Sequence, residues 1–274
     1  MTVKGTERTK EFYDTEGWQT LPSGQTVDGQ MFGVTEDGPL RNGMFDRKWQ
    51  RILSFLSDQN KTDLLEVGCG GSPELRIAKH FKNYTGTDFS PKGLAVAGEM
   101  LASRAGKVDL VEADAVALPF DDNRFDTVYS AHMIYHIFDR AAQEAAIKEM
   151  VRVLRPGGHL ILLTANPRPV LFPVRALIRT VADTPGLNSA ARKLKGPSPV
   201  PYNPAKISWY RRQTSHCADV HIMNGGLAST KFNQSVSEYS GVGRVAWSLL
   251  DLCDRTMPKF SAYLGNYILL MARK

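Results

Sequence analysis

The sequence predicts an α/β fold: a doubly wound, seven-stranded, mostly parallel sheet, with an N-terminal helical cap and a lid inserted after the fifth strand. Three observations predict it. From about residue 63, short apolar runs alternate with segments of helical periodicity, the rhythm of strand–helix–strand units. A glycine cluster follows the first run directly and precedes helix-opening residues. After the fifth run the alternation breaks at a proline-rich basic stretch, and two more strand-like runs follow it. The 274 residues fit one such domain with an insertion. The expected parts are a cap over residues 1–45, a core over 46–166, the lid over 167–213, and a completion of the sheet over 214–274.

Taken in order, residues 1–45 read as a short helix followed by a loop, with aromatics at Phe12, Tyr13, Trp18 and Phe32. Trp49, Ile52, Leu53 and Leu56 recur at helical spacing and predict a helix over about 46–56. Asp63 to Val67 is the first strand. Ser72-Pro73-Glu74 has the chemistry of a helix start, with serine to cap, proline at the first position and an acid at the positive helix end. Tyr84 to Thr87 is the second strand, and Ser90-Pro91 opens a helix by the same logic. Val108 to Glu112 and Asp126 to Ser130 are the third and fourth strands. Asp139 caps a helix whose Ile147, Met150, Val151 and Leu154 share one face. Arg155-Pro156-Gly157-Gly158 stops it, and His159 to Thr164 is the fifth strand. The late strands fall near Ala218 to Ile222 and Leu264 to Ala272, with helix-like Gly243 to Cys253 between them.

Composition excludes several classes. Hydrophobic residues make up 42% of the chain, enough for a sizeable core and too many for global disorder. The apolar runs are far shorter than the ~20 residues a membrane-spanning helix needs. The polar start of the sequence lacks the apolar core of a signal peptide. Three cysteines, Cys69, Cys217 and Cys253, show no CxxC spacing, which argues against a disulfide framework or a zinc site and suits a reducing, cytoplasmic setting. The net charge is +6, yet residues 168–212 hold nine bases against the single acid Asp183, a local +8. The remainder is slightly acidic, so the basicity belongs to that segment alone. Within it Val174, Leu177, Ile178 and Val181 form a helical stripe beside Arg175 and Arg179. Trp209 and Tyr210 add aromatics suited to contacting a substrate.

Three motifs carry chemistry. Glu66-Val67-Gly68-Cys69-Gly70-Gly71 lies between a strand and a helix, where glycines let the backbone approach a ligand; the same residues also suit a plain tight turn. A dinucleotide fingerprint would need Gly or Ala where this chain has Pro73, so that reading fails. Asp88, about twenty residues on, ends the second strand, where a carboxylate can accept from both ribose hydroxyls of a nucleoside. Phe89 beside it can lie against a base. Asp114 follows the third strand, where it can accept from an adenine amino group. A turn cap and an exposed loop acid are the plainer alternatives for these two acids.

The ordered set EVGCG (66–70), TDFS (87–90), EADAVALPF (112–120), RFDTVYS (124–130) and RVLRPGGHLIL (152–162) resembles the class I S-adenosylmethionine-dependent methyltransferases, in their small-molecule, type 11-like branch. The resemblance spans about residues 61–165 and implies a Rossmann-like fold with S-adenosylmethionine as cofactor, S-adenosylhomocysteine as product and no metal. It implies that Glu66 holds the loop or contacts the methionine amino group, and that Gly68, Cys69 and Gly70 pass beneath the methionine and ribose. Asp88 and Phe89 would serve the ribose and adenine, Asp114 and Ala115 the adenine, with Ser130 at the end of the fourth strand. The Phe12-Tyr13 to Trp18 stretch resembles a leading helix that covers the cofactor, and Arg41 could bind the methionine carboxylate. One departure is Ser72, where relatives carry a further glycine; it implies altered contacts to the methionine end.

Methyl transfer from a sulfonium needs alignment of the acceptor and, where required, removal of a proton. His132 and His136, spaced i, i+4 after the fourth strand, are the candidates for that role, with Tyr135 as a pocket wall. A contact to cofactor or backbone is the alternative for either histidine. No NPPY-like segment follows the fourth strand, and no Pro-Cys motif is present, so nucleic acid is not the expected partner. The leading expectation is methylation of a small-molecule acceptor on oxygen, a natural product or sugar. An anionic or lipid-linked acceptor met by the basic segment at a membrane surface is the second, and a non-catalytic nucleoside-binding protein the third.

Overall fold

The computed structural model describes residues 3–23, 26–32, 38–56, 61–168, 200–226, 238–239 and 241–274. Among these, seven strands form: β1 (Asp63–Val67), β2 (Asn83–Asp88), β3 (Lys107–Glu112), β4 (Phe125–Ala131), β5 (Leu154–Ala165), β6 (Ala218–Gly226) and β7 (Tyr267–Arg273). They make one sheet in the order β3-β2-β1-β4-β5-β7-β6. The pairs among β1 to β5 are parallel, while β7 runs antiparallel to both β5 and β6. The order reverses between β1 and β4, which opens a crevice beyond their carboxyl ends, the place where open α/β sheets take ligands.

Side chains alternate along each strand and sort the core into two faces. Leu65, Val67, Val128, Leu160, Leu162, Ile268 and Leu270 face one way. They pack against α6 (Arg140–Val153), α7 (Ile207–Gln213) and α9 (Pro258–Leu264). Leu64, Tyr84, Tyr129, Ile161, Leu163 and Leu269 face the other way. They meet α3 (Pro39–Phe55), α4 (Leu75–Ala78) and α5 (Pro91–Leu101). The remaining helix, α8 (Gly241–Thr256), packs on α3 through Trp247 and Met44. No helix among the described residues is long and apolar enough to cross a membrane.

Local chemistry accounts for most boundaries. Ser90 Oγ accepts from Gly93 N at 3.1 Å and Asp139 Oδ1 from Ala141 N at 3.0 Å, so both expected caps form. Four expectations change. The helix expected over 46–56 starts seven residues earlier, at Pro39, where proline sits in the first turn. The region before it holds α1 (Val3–Phe12), a π-helical turn (Tyr13–Gly17) and α2 (Val27–Phe32), more helix than expected. Ser72 does not cap: α4 begins at Leu75 and Glu74 is its cap, accepting from Arg76 N at 3.1 Å. Glu66 holds Glu74 N at 3.0 Å and keeps Ser72–Glu74 out of the helix. Finally, β5 begins at Leu154, and Arg155–Gly158 is a register shift within its ladder to β4. Arg155 anchors that shift through Asp63 at 3.0 Å and Asp126 at 2.5 Å.

Candidate functional site

A cavity of about 460 Å³ lies over the carboxyl ends of β1, β2 and β4. Its floor is the turn after β1. Gly68 and Gly70 adopt φ of 74° and 50°, the left-handed region that glycine enters without penalty. The N–H groups of Gly68 and Cys69 donate to Thr87 O at 2.7 and 3.0 Å, tying the turn to β2. A Cβ on Gly68 would stand 2.5 Å from Met133 Cγ, and one on Gly70 2.3 Å from Trp18 Cζ2. The glycines therefore let two covering side chains close on the turn.

Two buried carboxylates brace this floor. Asp88 Oδ2 accepts from Gly70 N and Oδ1 from Ser90 N, both at 2.9 Å. Glu66 accepts from Glu74 N and, at 2.8 Å, from Tyr84 Oη. Burial disfavours the charged forms and pushes Asp88 up to about 6 and Glu66 up to about 8. Both line the cavity.

The π-helical turn and Trp18 just after it supply an aromatic cover. Tyr13 stacks on Trp18 with ring centroids 5.3 Å apart and meets Phe89 edge-on at 6.5 Å. Tyr13 Oη donates to Asp28 Oδ1 at 3.1 Å. Arg41 reaches the cavity from α3, its guanidinium 5.5 Å over the Trp247 ring and its Nε 3.6 Å from Glu238 Oε2. Its charge is thus already partly matched.

His132 has φ of 59° and donates its N–H to Leu163 O at 2.8 Å. The expected shared helical face is therefore corrected: only Ile134–His136 forms a single 3₁₀ turn. The cavity still brings His132, Tyr135 and His136 together. His132 Nδ1 lies 3.1 Å from Tyr135 Oη, and His136 Nδ1 lies 2.8 Å from Pro201 O. A carbonyl only accepts, so His136 Nδ1 carries the proton there and Nε2 is left as the acceptor. Burial lowers His132 to about 3 and His136 to about 4, so both are neutral at pH 7.

Five expected site residues lie elsewhere. Ser130 has the strand parity of the opposite face, and its Oγ donates to Val67 O at 2.8 Å. Asp114 is exposed and folds back to accept from Val116 N at 3.1 Å, and neither it nor Ala115 lines the cavity. Tyr210 is buried under the sheet, with its Oη 2.7 Å from Thr164 Oγ1. Trp209 packs at the edge of that same core, with Arg140 over its ring at 5.2 Å. The face of β5 that carries Thr164 is the one turned away from the cavity, which is why this helix cannot reach it. The stripe around Arg175 and Arg179 falls outside the described residues.

Other cavity residues were not singled out from sequence: Asp28, Phe45, Lys48, Trp49, Asn224, Trp247 and Tyr267. Phe45 and Trp49 are one turn apart on α3, with centroids at 6.0 Å, and Lys48 and Arg76 lie over their rings. The helical spacing of Trp49 was a signal, read only as that of a helix. No group of three or more His, Cys, Asp or Glu among the described residues is placed to hold a metal ion.

Comparison with known proteins adds sequence and fold relatives. A family model described as a methyltransferase domain matches residues 65–162. Demethylmenaquinone methyltransferase of Thermus thermophilus is 43% identical over 128 residues, covering 45% of this chain and 57% of that protein. A mouse protein named probable tRNA methyltransferase 9B is matched over only 26% of its length, so the chain spans about half or less of these relatives. The ubiquinone/menaquinone biosynthesis C-methyltransferase UbiE of Geotalea daltonii is 32% identical over 168 residues, 52% of this chain and 70% of that protein. Among solved structures, the N-methyltransferase NodS of Bradyrhizobium japonicum, in complex with S-adenosyl-l-homocysteine, superposes with a TM-score of 0.56 at 16% identity, covering 98% of both chains. Phosphoethanolamine N-methyltransferase 2 of Haemonchus contortus, in complex with S-adenosyl-L-methionine, gives 0.57 at 17% identity over 97% of this chain and 59% of that one. The structural likenesses carry the fold alone, whereas the match across most of the Geotalea protein carries descent. The chain belongs to the class I S-adenosylmethionine-dependent methyltransferases.

Proposed function

We propose that the chain transfers the methyl group of S-adenosylmethionine to the hydroxyl oxygen of a small, flat, ring-bearing acceptor. The observation that carries this reading is the cavity wall. Beyond the glycine floor it includes Phe45, Trp49, Tyr135, Trp247 and Tyr267, interleaved with polar and charged groups such as Lys48, Arg76 and Asn224, and aromatic walls of this kind suit stacking on a ring.

The residues present fit the cofactor. A buried carboxylate, Asp88, stands at the cavity beside a turn of Cβ-free residues. Asp88 would hold the ribose, Phe89 and Tyr13 the adenine side, and Gly68 to Gly70 the methionine side, with Arg41 near its carboxylate. Glu66 has oxygens engaged by Glu74 N and Tyr84 Oη, which supports the loop-holding role. When bound, S-adenosylmethionine supplies a methyl group already activated on a sulfonium, so the chain's own work is alignment and proton handling. His132 is buried and neutral, and its low basicity suits orienting the acceptor hydroxyl through a hydrogen bond; as the oxygen–methyl bond forms and the sulfonium C–S bond breaks, the hydroxyl proton leaves to water. His136 lines the same cavity, and Tyr135 Oη fixes the His132 ring.

The basic segment over 167–213 is proposed as a lid. Residues 201–203 support this, although α7 at the segment's end packs on the opposite face: Asn203 N donates to Tyr135 O at 2.8 Å, Pro201 O receives His136, and the Tyr202 ring meets Tyr135 at 5.4 Å. A second version of the chemistry is favoured by the names of the quinone-pathway relatives. In it the acceptor hydroxyl gives up its proton, the adjacent ring carbon takes the methyl as the sulfonium C–S bond breaks, and that carbon then loses its hydrogen as the oxygen is reprotonated and the ring regains aromaticity. Incubation with [methyl-13C]S-adenosylmethionine and a panel of hydroxylated aromatic and quinol acceptors tests both. A carbon spectrum with an O-methyl or a C-methyl signal selects the version; no labelled product from any ring acceptor would sink the ring reading.

A further inference from the structure

Helix α8 has a buried inner face that folding accounts for and an apolar outer face that it does not. Gly243, Trp247, Asp251 and Asp254 recur at helical spacing and are buried. Trp247 walls the cavity, and Asp254 pairs with Arg47 and Arg51, both at 2.9 Å. On the opposite side Val245, Leu249 and Leu252 recur at i, i+4, i+7 and are 61%, 62% and 56% exposed. Met257 at the junction with α9, then Phe260 and Tyr263 on α9, are exposed as well, while Ser261 and Ala262 face inward. Of the eleven large apolar side chains exposed among the described residues, six fall between 245 and 263. Scattered exposure of that kind is ordinary on a soluble surface; concentration on two consecutive helices is not.

The polar residues exposed beside them are Arg244, Ser248, Arg255, Thr256 and Lys259. The acids of these helices, Asp251 and Asp254, are buried and matched, Asp251 by Arg47 and by Arg255 at 2.9 Å. The outer surface is therefore apolar and cationic with no exposed acid. That combination complements an anionic lipid–water interface, where apolar side chains enter the acyl boundary and cations meet phosphate groups.

We propose that the α8–α9 face docks the protein on an anionic bilayer. Because Trp247 lies on the inner side of the helix that docks, the cavity is then one helix away from the lipid phase. An apolar acceptor can pass from lipid to cavity without crossing bulk water. This last consequence rests on the ring-acceptor reading above; the docking itself does not.

Sedimentation of the full chain with vesicles of phosphatidylcholine, alone or mixed with phosphatidylglycerol, tests it. The expected result is binding to the mixed vesicles, reduced by salt, and reduced at least about ten-fold in Leu249→Ser/Leu252→Ser. Far-UV circular dichroism and S-adenosylhomocysteine affinity of that variant should match wild type, and Met100→Ser, an exposed change on α5, should bind vesicles normally. Absence of binding to either vesicle overturns the proposal, as does equal binding by the double variant. Size-exclusion chromatography adds a further arm: a wild-type dimer that the double variant dissolves would show that a second copy covers this face instead. Failure of methyl transfer to any acceptor would leave the vesicle result unaffected.

Discussion

Placing alanine at Gly70 sets a methyl group where the structure has none to spare. At φ of 50° an L-residue pays about 1–2 kcal/mol for the left-handed region. The added Cβ would also lie 2.3 Å from Cζ2 and 2.6 Å from Cη2 of Trp18. That ring has little room to slide, because the backbones of Gly71 and Gly93 lie so close that a Cβ on either would come within 2.8 Å of it, and Tyr13 stacks on it. Overpacking of this kind costs about 1–3 kcal/mol. The sum, roughly 2–5 kcal/mol, should lower the melting temperature on the order of 10 °C in a chain of this size. Scanning calorimetry on wild type, Gly70→Ala, Trp18→Ala and the double variant separates the two parts. Without the indole, Gly70→Ala should cost only the backbone part, giving a coupling of about 1–3 kcal/mol. If Gly70→Ala costs the same with and without Trp18, the ring does not lie on the turn. If Gly70→Ala melts like wild type and binds S-adenosylhomocysteine equally well, the reasoning about the whole floor is refuted.

Other perturbations have distinct readouts. Asp88→Ala should weaken S-adenosylhomocysteine binding by roughly 1.5–3 kcal/mol in calorimetry, the loss of charge-assisted hydrogen bonds; unchanged affinity would remove Asp88 from the cofactor site. His132→Ala should lower turnover about 10²-fold with cofactor affinity held, and a collapse of affinity instead would move His132 to the cofactor. Asp254→Ala strands Arg47, Arg51 and Asn224, which all donate to this carboxylate, and should destabilise by about 3–5 kcal/mol; a melt within a degree of wild type would contradict the network. For pH, His132 stays neutral in the folded chain down to about 3, whereas in the unfolded chain it binds a proton below its ordinary 6.5. The unfolded state holds more protons in that window, so this group's contribution is present above 6.5 and lost as pH falls toward 3. Asp88 and Glu66, raised by burial, slope the other way, so the test is a difference: His132→Gln should gain stability relative to wild type between pH 7 and 5, and parallel melting curves would count against a buried neutral imidazole.

What could be read from sequence was what local chemistry decides. The Gly68–Gly70 turn, the Ser90 and Asp139 caps, and Asp88 at the end of β2 depend on backbone sterics and on neighbours within a few residues. The strand rhythm is legible because a two-faced core imposes runs such as Leu160 to Leu163. Asp114 lies outside the cavity lining and accepts from Val116 N, because a short acid can satisfy a nearby N–H as readily as a ligand, and its sequence does not say which. Tyr210 was misplaced because the face to which a chain returns after a long insertion is a matter of topology. Phe45, Trp49 and Trp247 show the reverse: aromatic spacing marks an inward face, but only the placing of α3 against α8 shows that this face borders a cavity. The left-handed backbone at His132 left no trace in the residue order.

The position of β7 between β5 and β6 has a consequence for how the chain is made. β6 contacts the sheet through β7 alone, so when the ribosome releases β6 it has no ladder to join. Its N–H and C=O groups must stay in water until α8, α9 and β7 have followed. The parallel half, β1 to β5, can assemble earlier, with the outer edge of β5 open as a template for any extended segment. The nascent protein thus passes through a stage with one unpaired strand and one open edge. Slow codons or a stall between residues 226 and 267 would lengthen that stage, and aggregation during synthesis should rise with it.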